Sequence, residues 1–276
     1  MSKSKMQRNN LGNRMKSFYE EISKTKLMRR TPAVIRVDGK SFHTFTKGFH
    51  KPFDDIMVKT MQETTKYLCE NIQGCVLGYC QSDEISLVLI DYQTFETSAW
   101  FDYEVQKMCS VAAAMTTLAF HNFFAENVGA LVDRIYESGD QEPFFKYESY
   151  LNILYQACRK GALFDARVFS IPKEEVANYF YWRQLDAIRN SIQMAGQANF
   201  SHRELQNKSC KEIQELLVRE RQIDWNDYPA CLKWGSCAVK VMLEDGTRAR
   251  WELDQKIPIF KEEGRAYIER LIYIEE

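Results

Sequence analysis

Two apolar runs, CVLGYC (residues 75–80) and ISLVLI (residues 85–90), are separated by only the four residues QSDE. Both read as strands heading into a core. A connection that short makes them a hairpin, so the chain must contain an antiparallel pair with Asp83 and Glu84 at its turn. Charged side chains at the mouth of a buried strand are costly unless something positive meets them. The turn therefore poses both a folding constraint and a chemical question.

The flanking segments extend the pattern. Residues 10–30 read as a helix of mixed polarity. Ala33, Val34, Ile35 and Val37 read as a strand stopped by Asp38-Gly39. A helix follows in KPFDDIMVKTMQETTKYLCENI, with Ile56, Met57, Met61 and Leu68 at helical spacing and Asp54 and Asp55 near its N-terminus. After the hairpin, residues 98–127 predict a second helix carrying Val105, Met108, Val111, Ala112, Met115 and Leu118. ALFDARVFSIP then reads as a strand closed by Pro172. The order over 33–171 is β-α-β-β-α-β, an α+β ferredoxin-like arrangement. In that fold the first strand lies antiparallel beside the third. Asp38, ending the first, and Asp83, at the start of the third, therefore converge at one sheet edge.

Two unpaired carboxylates at one edge repel, and one tends to hold a proton. Mg²⁺ removes the conflict, because it takes one or two carboxylates and completes its shell with substrate phosphates. Two such ions support phosphoryl or nucleotidyl transfer. Gly39 permits close approach of the backbone to a ligand, and the KSFH amides could meet a triphosphate. Asp-Gly after a strand and Ser-Asp in a hairpin are also ordinary turn chemistry, so both readings stand on the residues alone.

The chain's 276 residues suit one large domain or a core with an appendage, here 1–172 as N-terminal helix and catalytic core and 173–276 as a C-terminal helical and hairpin region. A net charge of −1 excludes a uniformly basic nucleic-acid binder. The first thirty residues are nonetheless basic, with Lys3, Lys5, Arg8, Arg14, Lys16, Lys24, Lys26, Arg29 and Arg30 against Glu20 and Glu21. Such an arm can touch phosphates, or be a solvated helix face. The 8 cysteines form no CxxC pair, and the 4 histidines have no zinc-finger spacing with them. No secretory leader or 18-residue apolar run is evident. A reduced cytoplasmic protein is expected, with no membrane partner.

RVDGKSFHTFTKGFHKPFDD followed by YCQSDEISLVL resembles the tRNA-His guanylyltransferase family. FDARVFSIP and YFYWRQLDAIRNSI resemble its F-D-x-R-V and W-R-Q-x-D-x-x-x-N segments. The resemblance, over about residues 30–200, implies a polymerase-palm-like core that adds nucleotides in the 3′-to-5′ direction. It implies two Mg²⁺ ions held by Asp38, the Gly39 carbonyl and Asp83, with Glu84 as an adjacent catalytic acid. Asp38, Gly39, Lys40, Ser41, Phe42 and His43, with Ser82 and Asp83, match its nucleotide-triphosphate site. Lys51 matches the lysine of its K-P motif, and Lys107 falls near a phosphate-binding lysine of the following helix. ATP, GTP or other nucleoside triphosphates and tRNA are the implied substrates, and a homotetramer built from dimers is the implied assembly.

The departures are specific. Guanylyltransferases proper carry H-I-N-N-L-Y-N where this chain has IRNSIQM, so Ile188 replaces a histidine while Asn190 matches an asparagine. Phe53 likewise stands where those enzymes carry asparagine. Isoleucine cannot hydrogen-bond a base, so anticodon reading should be weak. These features resemble the guanylyltransferase-like subgroup, which restores missing 5′ nucleotides by templated pairing. G addition restricted to tRNA-His, a palm-type nucleotidyl cyclase and a non-catalytic tRNA-binding protein are the alternatives. Arg189 and Asn190 are candidate tRNA contacts. Asp165–Arg167 and Arg183–Asp186 read as local ion pairs. CLKWGSCAVKVMLEDGTRARWELD reads as a C-terminal β-hairpin turning at EDGT.

Overall fold

The computed structural model describes residues 10–137, 141–243, 246 and 248–274. Six strands are present among them: β1 (Ala33–Gly39), β2 (Cys75–Gln81), β3 (Glu84–Leu89), β4 (Phe164–Ser170), β5 (Ser236–Met242) and β6 (Ala249–Asp254). They form one sheet in the order β4-β1-β3-β2-β5-β6, antiparallel at every pairing. The helices are α1 (Phe42–Phe45), α2 (Asp55–Asn71), α3 (Val105–Glu137), α4 (Gln141–Lys160), α5 (Lys173–Asn199), α6 (His202–Leu205), α7 (Cys210–Arg221), α8 (Ala230–Trp234) and α9 (Ala266–Ile272).

Strand alternation sorts the two faces. Ala33, Ile35 and Val37 of β1 and Ile85, Leu87 and Leu89 of β3 pack with Met61, Leu68, Met108 and Phe120 of α2 and α3. Val34 and Val88 face the other way, against Val176 and Phe180 of α5 and Ile268 of α9. Arg36, Asp38, Glu84 and Ser86 fall in the same alternation as Val34 and Val88 and share the α5 face. A third apolar cluster joins Ile192 and Ala195 of α5 to Ile213 and Leu217 of α7 and to Trp225. The helix starts are chemically marked: Asp54 caps α2 by accepting from Met57 N at 3.1 Å.

β1 lies beside β3, as the sequence predicts, and the C-terminal hairpin forms as β5 and β6. That hairpin is hydrogen-bonded to β2 through Leu77–Val239 and Tyr79–Cys237, so it extends the main sheet. Four expectations change. The N-terminal helix covers residues 10–20 rather than 10–30, because the chain then turns extended. There Arg29 Nε (2.5 Å) and Arg30 N (2.8 Å) both donate to Asp91, which is buried. The helix expected from 98 begins at Val105, since Phe101 and Asp102 adopt φ of 50° and 51°, and it continues to Glu137. α4 had no counterpart in the sequence reading, although Tyr150, Leu151, Leu154 and Ala157, all buried, have helical spacing. α3 is long and apolar enough by composition to cross a membrane, contrary to the expected lack of any such run; its Ala112, Phe120 and Phe124 pack into the core. Lys3, Lys5 and Arg8 of the basic arm, and Glu244, Asp245 and Thr247 of the EDGT turn, lie outside the described residues.

Candidate active site at the β1–β3 edge

The ladder places Asp38 directly opposite Glu84 on β3 and directly opposite Asp165 on β4. Between Gln81 and Glu84 the chain reverses in two residues. Ser82 takes the left-handed region at φ 51°, and its hydroxyl donates to Asp83 Oδ1 at 3.0 Å. Gly39 N donates to Asp83 O at 3.2 Å, which ties the end of β1 to this turn. Ser41, just before α1, is also left-handed at φ 56°. Two non-glycine residues held in that region at one edge is a local conformational cost of the kind concentrated at functional sites.

Four carboxylates therefore crowd one edge, and their surroundings differ. Glu84 is 7% exposed and is met by Arg183 Nη1 at 2.8 Å and Arg36 Nε at 3.9 Å. Asp165 is met by Arg167 at 3.7 Å, the pair expected from their alternation. Among the described ion pairs none involves Asp38 or Asp83. Burial pushes the Asp83 carboxyl above the usual carboxylate range; the Ser82 hydroxyl and a backbone amide oppose this, and the charge of Asp38 adds to it. Burial also raises Glu84, against the pull of both arginines. The uncompensated pair is thus Asp38 and Asp83, an all-oxygen donor set that fits Mg²⁺. Among the described residues no three His, Cys, Asp or Glu side chains group to hold a metal alone, so an ion held by this pair would need substrate oxygens or water to complete its shell.

Beside this edge opens a pocket of about 520 Å³ running from α1 and the 82–83 turn to α5 and α8. Phe42, His43, Lys51, Ser82, Asp83 and Asn190 all line it. Gly39, Lys40 and Ser41 are not among its lining residues, and the amides of Gly39 and Lys40 are already engaged, by Asp83 O at 3.2 Å and Leu163 O at 2.8 Å. Of the expected amide donors this leaves those of Ser41, Phe42 and His43 at the start of α1, where a helix has no intrahelical partners. Phe53 lines the pocket and meets Tyr228 edge-on at 5.3 Å. Ile188 packs against the α5–α7 apolar cluster. Arg189 is exposed and bonded to Asp186.

Lys107 is not brought here. It sits 4.6 Å from the Phe101 ring, in a segment bonded to the chain before β1 through Leu27 N to Tyr103 O (3.0 Å) and Val105 N to Thr25 O (2.9 Å). That is the opposite end of the sheet. The i, i+3 spacing of Arg183 and Asp186 predicts a local pair. That contact exists at 3.6 Å, but the shorter bond is to Glu84, 99 residues away in sequence. Lys233, buried on the pocket wall with Nζ donating to Asn226 O at 2.6 Å, also escaped the sequence reading.

A family model described as Thg1, tRNAHis guanylyltransferase, matches residues 12–172. The tRNA(His) guanylyltransferase of Saccharomyces cerevisiae is 27% identical over 221 residues, covering 75% of this chain and 81% of its own length. An uncharacterised protein of Acanthamoeba polyphaga mimivirus is 25% identical, covering 85% of this chain and 78% of that one. The solved structure of a bacterial tRNA(HIS) guanylyltransferase (Thg1)-like protein in complex with ATP matches with a TM-score of 0.79 at 38% identity, covering 96% of this chain and 100% of the other. Such a protein in complex with GTP matches at 0.76 and 37%, with the same coverage.

Proposed function

Because the chain belongs to the tRNAHis guanylyltransferase family, and is therefore a nucleotidyltransferase, we propose that it repairs 5′-truncated tRNA by templated 3′-to-5′ nucleotide addition. The observation that carries this reading is the wall opposite the carboxylates. Ile188 is turned into an apolar cluster and Phe53 faces the pocket. Neither can hydrogen-bond a base edge, so the two positions where the guanylyltransferases proper carry histidine and asparagine offer no base contact here, which favours selection by Watson–Crick pairing with the opposite strand. The 38% identity to a Thg1-like protein supports the subgroup. G addition restricted to tRNA-His is the second reading, supported by the curated relative from yeast.

Asp38, the Gly39 carbonyl and Asp83 would hold two Mg²⁺ ions, which supply an activated hydroxyl and charge neutralisation at the triphosphate. The α1 amides and Lys51 receive the phosphates at the pocket mouth, and the inner wall built from α5 and α8 takes the base. A tRNA 5′-monophosphate reacts first at the α-phosphorus of ATP, forming an adenylylated end and releasing pyrophosphate. The 3′-OH of the incoming nucleotide then attacks that end and AMP leaves. A 5′-triphosphorylated end needs no first step, and pyrophosphate leaves instead. Residues 1–172 form the palm-like catalytic part and 173–276 the helical and hairpin part, and the enzyme works as a homotetramer in the cytoplasm.

The test is a Mg²⁺-dependent extension of 5′-triphosphorylated tRNA lacking its first nucleotide, with each nucleoside triphosphate supplied singly and Asp83→Ala as control. Addition of only the complementary nucleotide to tRNA-His and to another tRNA is the expected result. Addition of G to tRNA-His alone would establish the second reading instead.

A further inference from the structure

Glu84 stands directly opposite Asp38 in the ladder, one residue after Asp83, yet its surroundings are those of an anchored ion. Arg183, 5% exposed, donates to Glu84 Oε2 from the middle of α5 and lies 3.7 Å over the Trp182 ring. Arg36 approaches from β1. Two residues along β3, Ser86 and Tyr179 of α5 share a second buried hydrogen bond of 2.8 Å. α5 is thereby fixed to β3 immediately beside the 82–83 turn. The same helix carries Asn190 and Met194 into the pocket. Glu84 Oε1, Arg36 Nε and Arg183 Nε have no hydrogen-bond partner, so the cluster is held by charge and burial more than by a complete set of bonds.

We infer that Arg183 and Glu84 are positioning residues: the buried pair withholds Glu84 from the metal-binding carboxylates and sets the α5 wall of the pocket in register with Asp38 and Asp83. This rests on the reading that Asp38 and Asp83 hold the metal. The lever is electrostatic as well as geometric. Without Arg183, a third carboxylate is left facing Asp38 with only the more distant Arg36 to meet it.

The test titrates Mn²⁺ by the EPR signal of the free ion, and measures single-turnover nucleotide addition and melting temperature in parallel. The proteins are Asp83→Asn, Glu84→Gln, Arg183→Met and the double variant Glu84→Gln/Arg183→Met. Glu84→Gln should keep Mn²⁺ affinity within about threefold while slowing transfer about 10–100-fold, the usual cost of disturbing a residue behind a metal ligand. Arg183→Met should slow transfer similarly, and the double variant should recover about tenfold of that loss, because the two changes cancel as a pair. Mn²⁺ affinity lost in Glu84→Gln as fully as in Asp83→Asn would make Glu84 a ligand and overturn the inference. Mn²⁺ retained by Asp83→Asn would overturn the metal site itself. If Arg183→Met does not fold, the Mn²⁺ titration of Glu84→Gln decides alone.

Discussion

Replacing Gly39 by alanine tests the local construction of the site. A Cβ at position 39 would lie 2.1 Å from Cδ2, 2.4 Å from Cε2 and 2.8 Å from Cγ of Phe42. The ring must retreat by more than about 1 Å to regain van der Waals distance. It has little room, since Phe45, Phe120 and Phe164 hold it at centroid distances of 5.2, 5.7 and 5.1 Å. Overpacking of this kind costs about 1–3 kcal/mol, or a fall in melting temperature of about 2–10 °C for a chain of this size. The displaced ring begins α1, so nucleotide affinity should fall with it. Calorimetry and a nucleotide-binding titration read the two effects. The double variant Gly39→Ala/Phe42→Leu, which shortens the obstructing side chain, should melt no lower than Phe42→Leu alone. A Gly39→Ala protein with wild-type melting and binding would refute the argument, because the backbone would then have absorbed the methyl group.

Two further outcomes bear on what holds the frame. Ser209→Ala removes one half of the capping box at α7, where Ser209 and Glu212 bond reciprocally; it should cost about 0.5–2 kcal/mol in denaturant titrations and leave transfer rates untouched. Asp91→Ala strands the Arg29 and Arg30 donors where the chain enters β1, and should destabilise by about 1–3 kcal/mol, read as a lower denaturation midpoint.

What could be read from residue order was whatever depends on short separations. The short QSDE segment is enough for the β2–β3 hairpin, and the β-α-β-β-α-β order of locally legible elements for the β1–β3 adjacency, which sets Asp38 opposite the turn. The cap at Asp54 and the Asp165–Arg167 pair are equally local. Arg183–Glu84 was out of reach because spacing on a helix names a neighbour at i+3 and is silent about a strand 99 residues away. The same limit hid the pairing of β5 with β2, since edge pairing leaves no periodic signature of its own. Lys107 is the instructive case. The resemblance reaches it across an irregular segment, where the left-handed residues Phe101 and Asp102 precede α3, and Lys107 lies over the Phe101 ring at the far end of the sheet. A phosphate-binding lysine should raise the nucleotide KM when truncated, as Lys51→Ala is expected to do by about tenfold or more. Lys107→Ala should instead leave KM and kcat within about twofold, and lose only the contact with Phe101. Steady-state kinetics on both variants separates them. A rise in KM for Lys107→Ala equal to that of Lys51→Ala would mean that α3 reaches the triphosphate in the working enzyme, and that the sheet's two ends are not the independent sites this geometry makes them.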